Sequence, residues 1–297
     1  MAEITTAADH QASPAARLLA RRRFIELAAR RPVDDFLSGS WESRRPGSGY
    51  EFETLREMAP GDPVRLIDWG ARARTGKLYV REFLGESFFR LHLVCDLSAS
   101  MAGGRKAALM AEIAVSLAWS AISTGNPCGL LLWAAEPAAY LAPAVGREHL
   151  LALTETLARL RSQAGKAFAA NRAAAFLREQ HAGGLVFFLA DFLDNTSPAD
   201  LVLPGTEVKV VQILEESEKQ LPPGLKGLAV CRDPESGRQA LVDLARWRRY
   251  NRAMADYLAS FQEGLRRLAI AATVITPADD YVPLLNRLGE AVNAGHR

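Results

Sequence analysis

From about Arg90 onward, short apolar runs alternate with longer amphipathic ones. "FRLHLVC", "PCGLLLW", "GLVFFLA", "VKVVQIL" and "ATVIT" are five to seven residues long, too short for buried helices, and predict strands. Between and after them, "RKAALMAEIAVSLAWSAIST" (ended by Gly125), "REHLLALTETLARL", "NRAAAFLREQH", a stretch from about Leu244 to Leu268 and another from about Tyr281 predict helices. "PAAYLA" predicts a short strand paired with the one before it. "LAVCRDPESGRQALVD" predicts a β-hairpin near 227–243, turning at Pro234 to Gly237. Strands that are apolar along their whole length need cover on both faces, so the expected fold class is α/β: a doubly wound, mostly parallel sheet.

The first third reads differently. Residues 1–13 are polar and aperiodic and predict a flexible tail, and 14–32 predict a helix bounded by Pro14 and Pro32, with six arginines against the single acid Glu26. Such a basic helix can either present an ordinary solvated face or grip the phosphates of nucleic acid. In residues 33–87, Gly and Pro clusters alternate with short β-leaning runs, the clearest turn being Pro60-Gly61-Asp62-Pro63, so a small β-rich subdomain is expected before a main domain over 88–297. Trp69 should cover the edge of a core there.

Composition narrows the classes. With 297 residues, 49% hydrophobic and 24% charged, the chain can bury one large core and carry a small subdomain. A net charge of +2 does not by itself imply nucleic acid or membrane, and no apolar run approaches the roughly 18 residues of a spanning helix. The start "MAEITTAADHQASPA" lacks the basic cap and apolar stretch of a secretory signal, and Cys95, Cys128 and Cys231 read as reduced core thiols. A cytoplasmic chain is expected.

The candidate chemistry lies in "LHLVCDLSASM", where an apolar strand runs into Asp96, Ser98 and Ser100. Alternate residues of an extended segment share a face, and strand carboxyl ends are where open parallel sheets bind ligands. One carboxylate with two hydroxyls suits a hard cation such as Mg²⁺, for which Mn²⁺ or Ca²⁺ can substitute. Such an ion stays electropositive and seeks a further anion, which an Asp or Glu of a partner can supply. Gly103 and Gly104 then lead into a helix whose first amides reinforce that preference. The competing reading makes Asp96 and the serines turn and cap formers. "GLVFFLAD" ends a second strand at Asp191, so two carboxylates converge on one crevice.

"DLSASM" after an apolar strand, with "FFLADF" ending a later one, resembles the metal-ion-dependent adhesion site (MIDAS) of von Willebrand factor type A domains. "GSGYEFETLREMAPGDPVRLIDWGARARTGKLYVREF" resembles the signature of the bacterial domain of unknown function 58 family, through Glu51-Phe52, Arg56, Gly61-Asp62, Arg65, Ile67-Asp68-Trp69 and Ala73-Arg74. "DPESGRQALVDLARWRRYNRAMADYL" resembles that family's C-terminal region. The resemblance implies Asp96, Ser98 and Ser100 as direct metal ligands and Asp191 as a ligand directly or through water. It also implies a MoxR-type AAA+ ATPase as partner in chaperone-like assembly. One element departs: type A domains add a loop threonine, but "SQAGKAFAANR" has none, and Lys166 stands nearest its place. An ammonium there would repel a divalent ion or substitute for it, pairing with Asp96 or Asp191.

Enzymatic readings fit less well. "GARARTGKL" is not a phosphate loop, because its glycines are one residue too far apart and Leu78 replaces the magnesium-binding hydroxyl. An aspartyl phosphatase needs a second acid where Ser98 stands. None of His10, His92, His149, His181 and His296 forms a ligand pair at helical spacing. The expectation is a non-enzymatic protein–protein interaction module, the alternatives being a metal-assisted phosphohydrolase using Asp96 and Asp191 or nucleic-acid binding through the first helix.

Overall fold

A computed structural model describes residues 51–59, 67–84, 89–102, 105–159, 167–194 and 196–290. The expected tail, the Arg-rich helix, the turn at 60–63, Arg65, Gly103, Gly104, Lys166 and His296 lie outside them. Two compact units are present, one within residues 37–88 and one from Phe89 onward.

In the first unit, β1 (Glu51–Glu57) pairs antiparallel with β2 (Tyr79–Leu84), with an irregularity between Phe52 and Thr54. The expectation of strands and turns alone is corrected by a helix, α1 (Trp69–Thr75), within "IDWGARARTGKL". Asp68 caps it, its Oδ1 accepting from the Ala71 amide at 2.7 Å, and Gly76 ends it at φ +77°, a left-handed value that favours glycine. The near-match to a phosphate loop is thus an ordinary capped helix. Trp69 does not cover a core edge: it is 57% exposed, with the Arg72 guanidinium 5.4 Å above its ring.

The second unit is built on a six-stranded sheet. Its strands are β3 (Leu91–Asp96), β4 (Cys128–Trp133), β5 (Pro137–Ala144), β6 (Gly184–Ala190), β7 (Thr206–Ile213) and β10 (Ala271–Ile275), in spatial order β10-β7-β6-β3-β4-β5. All neighbours are parallel except β5, which returns antiparallel on β4 as an edge. β3 and β6 lie side by side at the centre, and the chain turns to opposite halves of the sheet after them, so their carboxyl ends flank a topological switch point, the place where open parallel sheets generally bind ligands. β8 (Leu228–Arg232) and β9 (Gln239–Asp243) form a separate two-stranded hairpin.

Periodicity of two along the strands sorts side chains between the faces. Val94, Val186, Phe188, Val208 and Val210 share one core cluster with Ala173, Ala174 and Leu177 of α4 (Ala170–Glu179) and with Phe261 and Leu265 of α6 (Trp247–Arg267). Leu93, Cys95, Phe187, Leu189 and Val211 are left to the opposite face, and α2 (Lys106–Ser123) packs along β3, β4, β6 and β7. α3 (Arg147–Ala158) packs on α2, and α7 (Tyr281–Glu290) is tied to it by Ser116 Oγ and Tyr281 Oη at 3.1 Å. The fold is α/β, with a mostly parallel central sheet flanked by helices.

Two expectations need correction. α2 is 18 residues long with a mean hydropathy of 1.3, long and apolar enough to cross a membrane, although most of it is buried as the central helix of the core. Cys231 is not a core thiol: it lies exposed on β8, whereas Cys95 and Cys128 are buried.

Candidate functional site

Asp96 is the last residue of β3 and is fully buried. Its two oxygens divide the competing readings between them. Oδ1 accepts from the Ser98 amide at 2.6 Å and so shapes the turn that leaves the strand. Oδ2 is buried with no hydrogen-bond partner among the described residues. The serines converge through that turn and the 3-10 turn Ser100–Ala102 rather than along an extended strand, their Oγ atoms 3.1 Å apart. Burial, reinforced by the charge of Asp191, pushes the Asp96 carboxyl well above the usual carboxylate range.

Asp191 follows directly on β6. Its loop is held in an uncommon conformation: Phe192 has φ +50°, unfavourable for an aromatic residue, while its ring is buried near Phe168 and Phe261 at centroid distances of 6.1 and 5.3 Å. Tyr257 of α6 fastens the loop, donating to the carbonyls of Phe192 and Asp194, and Gln212 of β7 donates to the Asp191 carbonyl at 2.8 Å. Leu193 donates its amide to Asp191 Oδ1 at 3.2 Å.

Asp191 Oδ2 is taken by a lysine other than the expected one. Lys106, the first residue of α2, is 1% exposed, with Nζ 2.9 Å from Asp191 Oδ2 and 2.7 Å from Glu218 Oε1. Burial alone lowers the affinity of this ammonium for its proton, but the two carboxylates outweigh that and hold it above the ordinary lysine value. Glu218 lies on the short helix α5 (Glu216–Lys219), just after β7. The signal in the sequence was a charge on an apolar stripe, since Lys106, Met110, Ile113 and Leu117 recur at helical spacing and all are buried.

The chain also supplies carboxylates where free amides were expected. The Arg105 amide, leading into α2, donates to Glu215 Oε1 at 2.7 Å, and the Ser100 amide donates to Glu235 Oε1 at 2.9 Å. Glu235 comes from the turn of the β8–β9 hairpin, and no local pattern in the sequence marks it. Thr154 lies within α3 with its hydroxyl donating to the Leu150 carbonyl at 2.8 Å, so it contributes nothing here.

Asp96, Ser98 and Ser100 bring one carboxylate and two hydroxyls, the donor types that a hard cation takes, and the buried Oδ2 of Asp96, without a hydrogen-bond partner among the described residues, is the strongest indication of a missing ligand. Asp191 Oδ2 is already paired with Lys106, which it shares with Glu218. Among the described residues no three His, Cys, Asp or Glu side chains are grouped as metal ligands, so the hydroxyls would be essential to any such ion.

The sequence matches the family described as "Protein of unknown function DUF58" over residues 54–260, more than half of the chain. The chain belongs to the DUF58 family. Two mycobacterial proteins, "Uncharacterized protein Mb1516" of Mycobacterium bovis and "Uncharacterized protein Rv1480" of Mycobacterium tuberculosis, are each 29% identical over 262 residues, 84% of this chain and 82% of theirs. Among solved structures, BatB from Bacteroides thetaiotaomicron is similar with a TM-score of 0.43 and 13% identity over 69% of this chain and 98% of its own. An aerotolerance-related membrane protein from Bacteroides fragilis gives 0.41 and 14% over the same shares of the two chains. These scores are too low to carry a functional argument for this DUF58 chain.

Proposed function

We propose that this DUF58 chain is a non-enzymatic protein–protein interaction module, with a von Willebrand factor type A-like domain whose strand-end crevice receives a carboxylate from a protein partner. One observation supports the reading: Asp96 Oδ2 is buried without a hydrogen-bond partner among the described residues, at the start of the turn on which the hydroxyls of Ser98 and Ser100 converge. A divalent ion held by these three residues, Mg²⁺ or in its place Mn²⁺ or Ca²⁺, supplies the positive charge that a partner's Asp or Glu completes. Asp191, its Oδ2 given to Lys106, acts on the site through its charge or through water.

The DUF58 pattern suggests a MoxR-type AAA+ ATPase as the partner, in chaperone-like assembly. A reducing compartment such as the cytoplasm suits the three free thiols. The test is recovery of the ATPase on the immobilised chain with Mg²⁺, with chelator, and with Asp96→Ala in Mg²⁺. Loss of recovery under both perturbations supports the reading, and equal recovery in all three samples contradicts it.

A further inference from the structure

Glu235 reaches the crevice from 135 residues away in sequence, and its Oε1 accepts from the Ser100 amide at 2.9 Å. Its Oε2 is buried with no hydrogen-bond partner among the described residues. The turn that presents it is stiff: the Glu235 amide donates to Asp233 Oδ1 at 3.0 Å, the Gly237 amide to the Asp233 carbonyl at 2.9 Å, and Gly237 adopts φ +70°. Behind the tip, the hairpin is poorly anchored. Among the described residues β8 and β9 pair only with each other, none of residues 228–243 is buried, and Leu228, Val230 and Leu241 are 67%, 64% and 66% exposed. Directly opposed and alternate residues of an antiparallel pair share a face, so these three side chains stand together without apolar cover. A two-stranded hairpin is marginal by itself. This one therefore combines a specific carboxylate contact at its tip with little packing to resist its withdrawal.

We propose that the hairpin is a strap: Glu235 holds, from within the chain, the position that an incoming carboxylate of a protein partner takes, and binding exchanges one carboxylate for the other. This rests on the crevice being a carboxylate receptor, as proposed above. A site occupied by its own chain binds an external ligand with affinity reduced by the fraction of molecules in which the strap is lifted. A charge-assisted hydrogen bond is strong enough to keep that fraction near one tenth, so removing it should tighten binding by about tenfold.

The test uses the full chain with Mn²⁺ and a short blocked peptide bearing one glutamate between glycines, titrated calorimetrically into the parent, Glu235→Gln and Glu235→Ala. Glu235→Gln keeps the side-chain size and removes the charge, so the two variants separate charge from bulk. The expected result is about tenfold tighter peptide binding by Glu235→Ala and a smaller gain by Glu235→Gln, whose amide oxygen still accepts from Ser100, with the Ser100 amide of Glu235→Ala exchanging with deuterium about tenfold faster than in the parent. Equal peptide affinity in all three proteins overturns the strap and leaves the crevice reading standing. No peptide binding by any of the three overturns the crevice reading and the strap with it.

Discussion

Replacing Lys106 by Met keeps the buried stem and removes the ammonium that holds Asp191 and Glu218 together. Asp191 and Lys106 side chains are 6% and 1% exposed, so their pairing at 2.9 Å is shielded from water, whereas Glu218, at 27%, can recover some hydration. Most of the loss therefore falls on Asp191. Breaking a buried pair by removing one partner costs about 3–5 kcal/mol, because the remaining charge is left desolvated. That is a large share of a total stability of roughly 5–15 kcal/mol. With a urea dependence of about 3 kcal/mol per molar, the midpoint should fall by about 1 M or more. Asp191→Asn added to Lys106→Met should restore part of the loss, since it removes the orphaned charge. Urea titration followed by circular dichroism checks both statements. A shift of the Lys106→Met midpoint worth less than about 1 kcal/mol would refute the idea that this ammonium neutralises the crevice.

Three further outcomes follow from individual residues. Asp96 has a folded pKa above its ordinary 3.8, so it contributes most stability below that value, and the contribution is lost as pH rises through the folded pKa. In chelator, Asp96→Asn should therefore gain stability relative to the parent as pH rises above 3.8 in thermal melts, and parallel pH profiles would count against it. Burial, aided by Arg90, pulls the His92 imidazole from 6.5 down to about 4, so its contribution is complete above pH 6.5 and lost as pH falls towards 4, by roughly 3 kcal/mol. His92→Leu should remove that slope between pH 6.5 and 5, as read by urea midpoints across the range. Gly184 opens β6 at φ +98°, and a Cβ there would stand 2.5 Å from the Arg90 carbonyl oxygen. Gly184→Ala should lower the melting temperature by several degrees, and an unchanged melt would show that the strand start can shift.

The strand and helix order of the main unit was legible because its strands are short, apolar along their whole length and punctuated by glycines, as at Gly125 and Gly184. The convergence of Ser98 and Ser100 was also legible, although a turn rather than an extended strand produces it. Helix α1 was hidden by a seven-residue length and by the absence of an apolar stripe, its only strong signals being the Asp68 cap and Gly76. Lys106, Glu218 and Glu235 were missed for a different reason. Their roles depend on contacts across 85 to 135 residues of sequence, which periodicity and spacing do not encode. The ammonium that meets Asp191 is that of Lys106, and Lys166, which the spacing of the sequence points to, lies outside the described residues.

Capture of a partner carboxylate, as proposed, depends on oxygens of Asp96, Ser98 and Ser100 accepting a hard cation. The most direct measurement is an anomalous-difference map from crystals of the full chain soaked in Mn²⁺, with Asp96→Ala crystals soaked alongside. A peak bonded to Asp96 Oδ2 and the two serine hydroxyls, absent from the variant, is the predicted result. No peak at that position, or one that persists unchanged in Asp96→Ala, would contradict it.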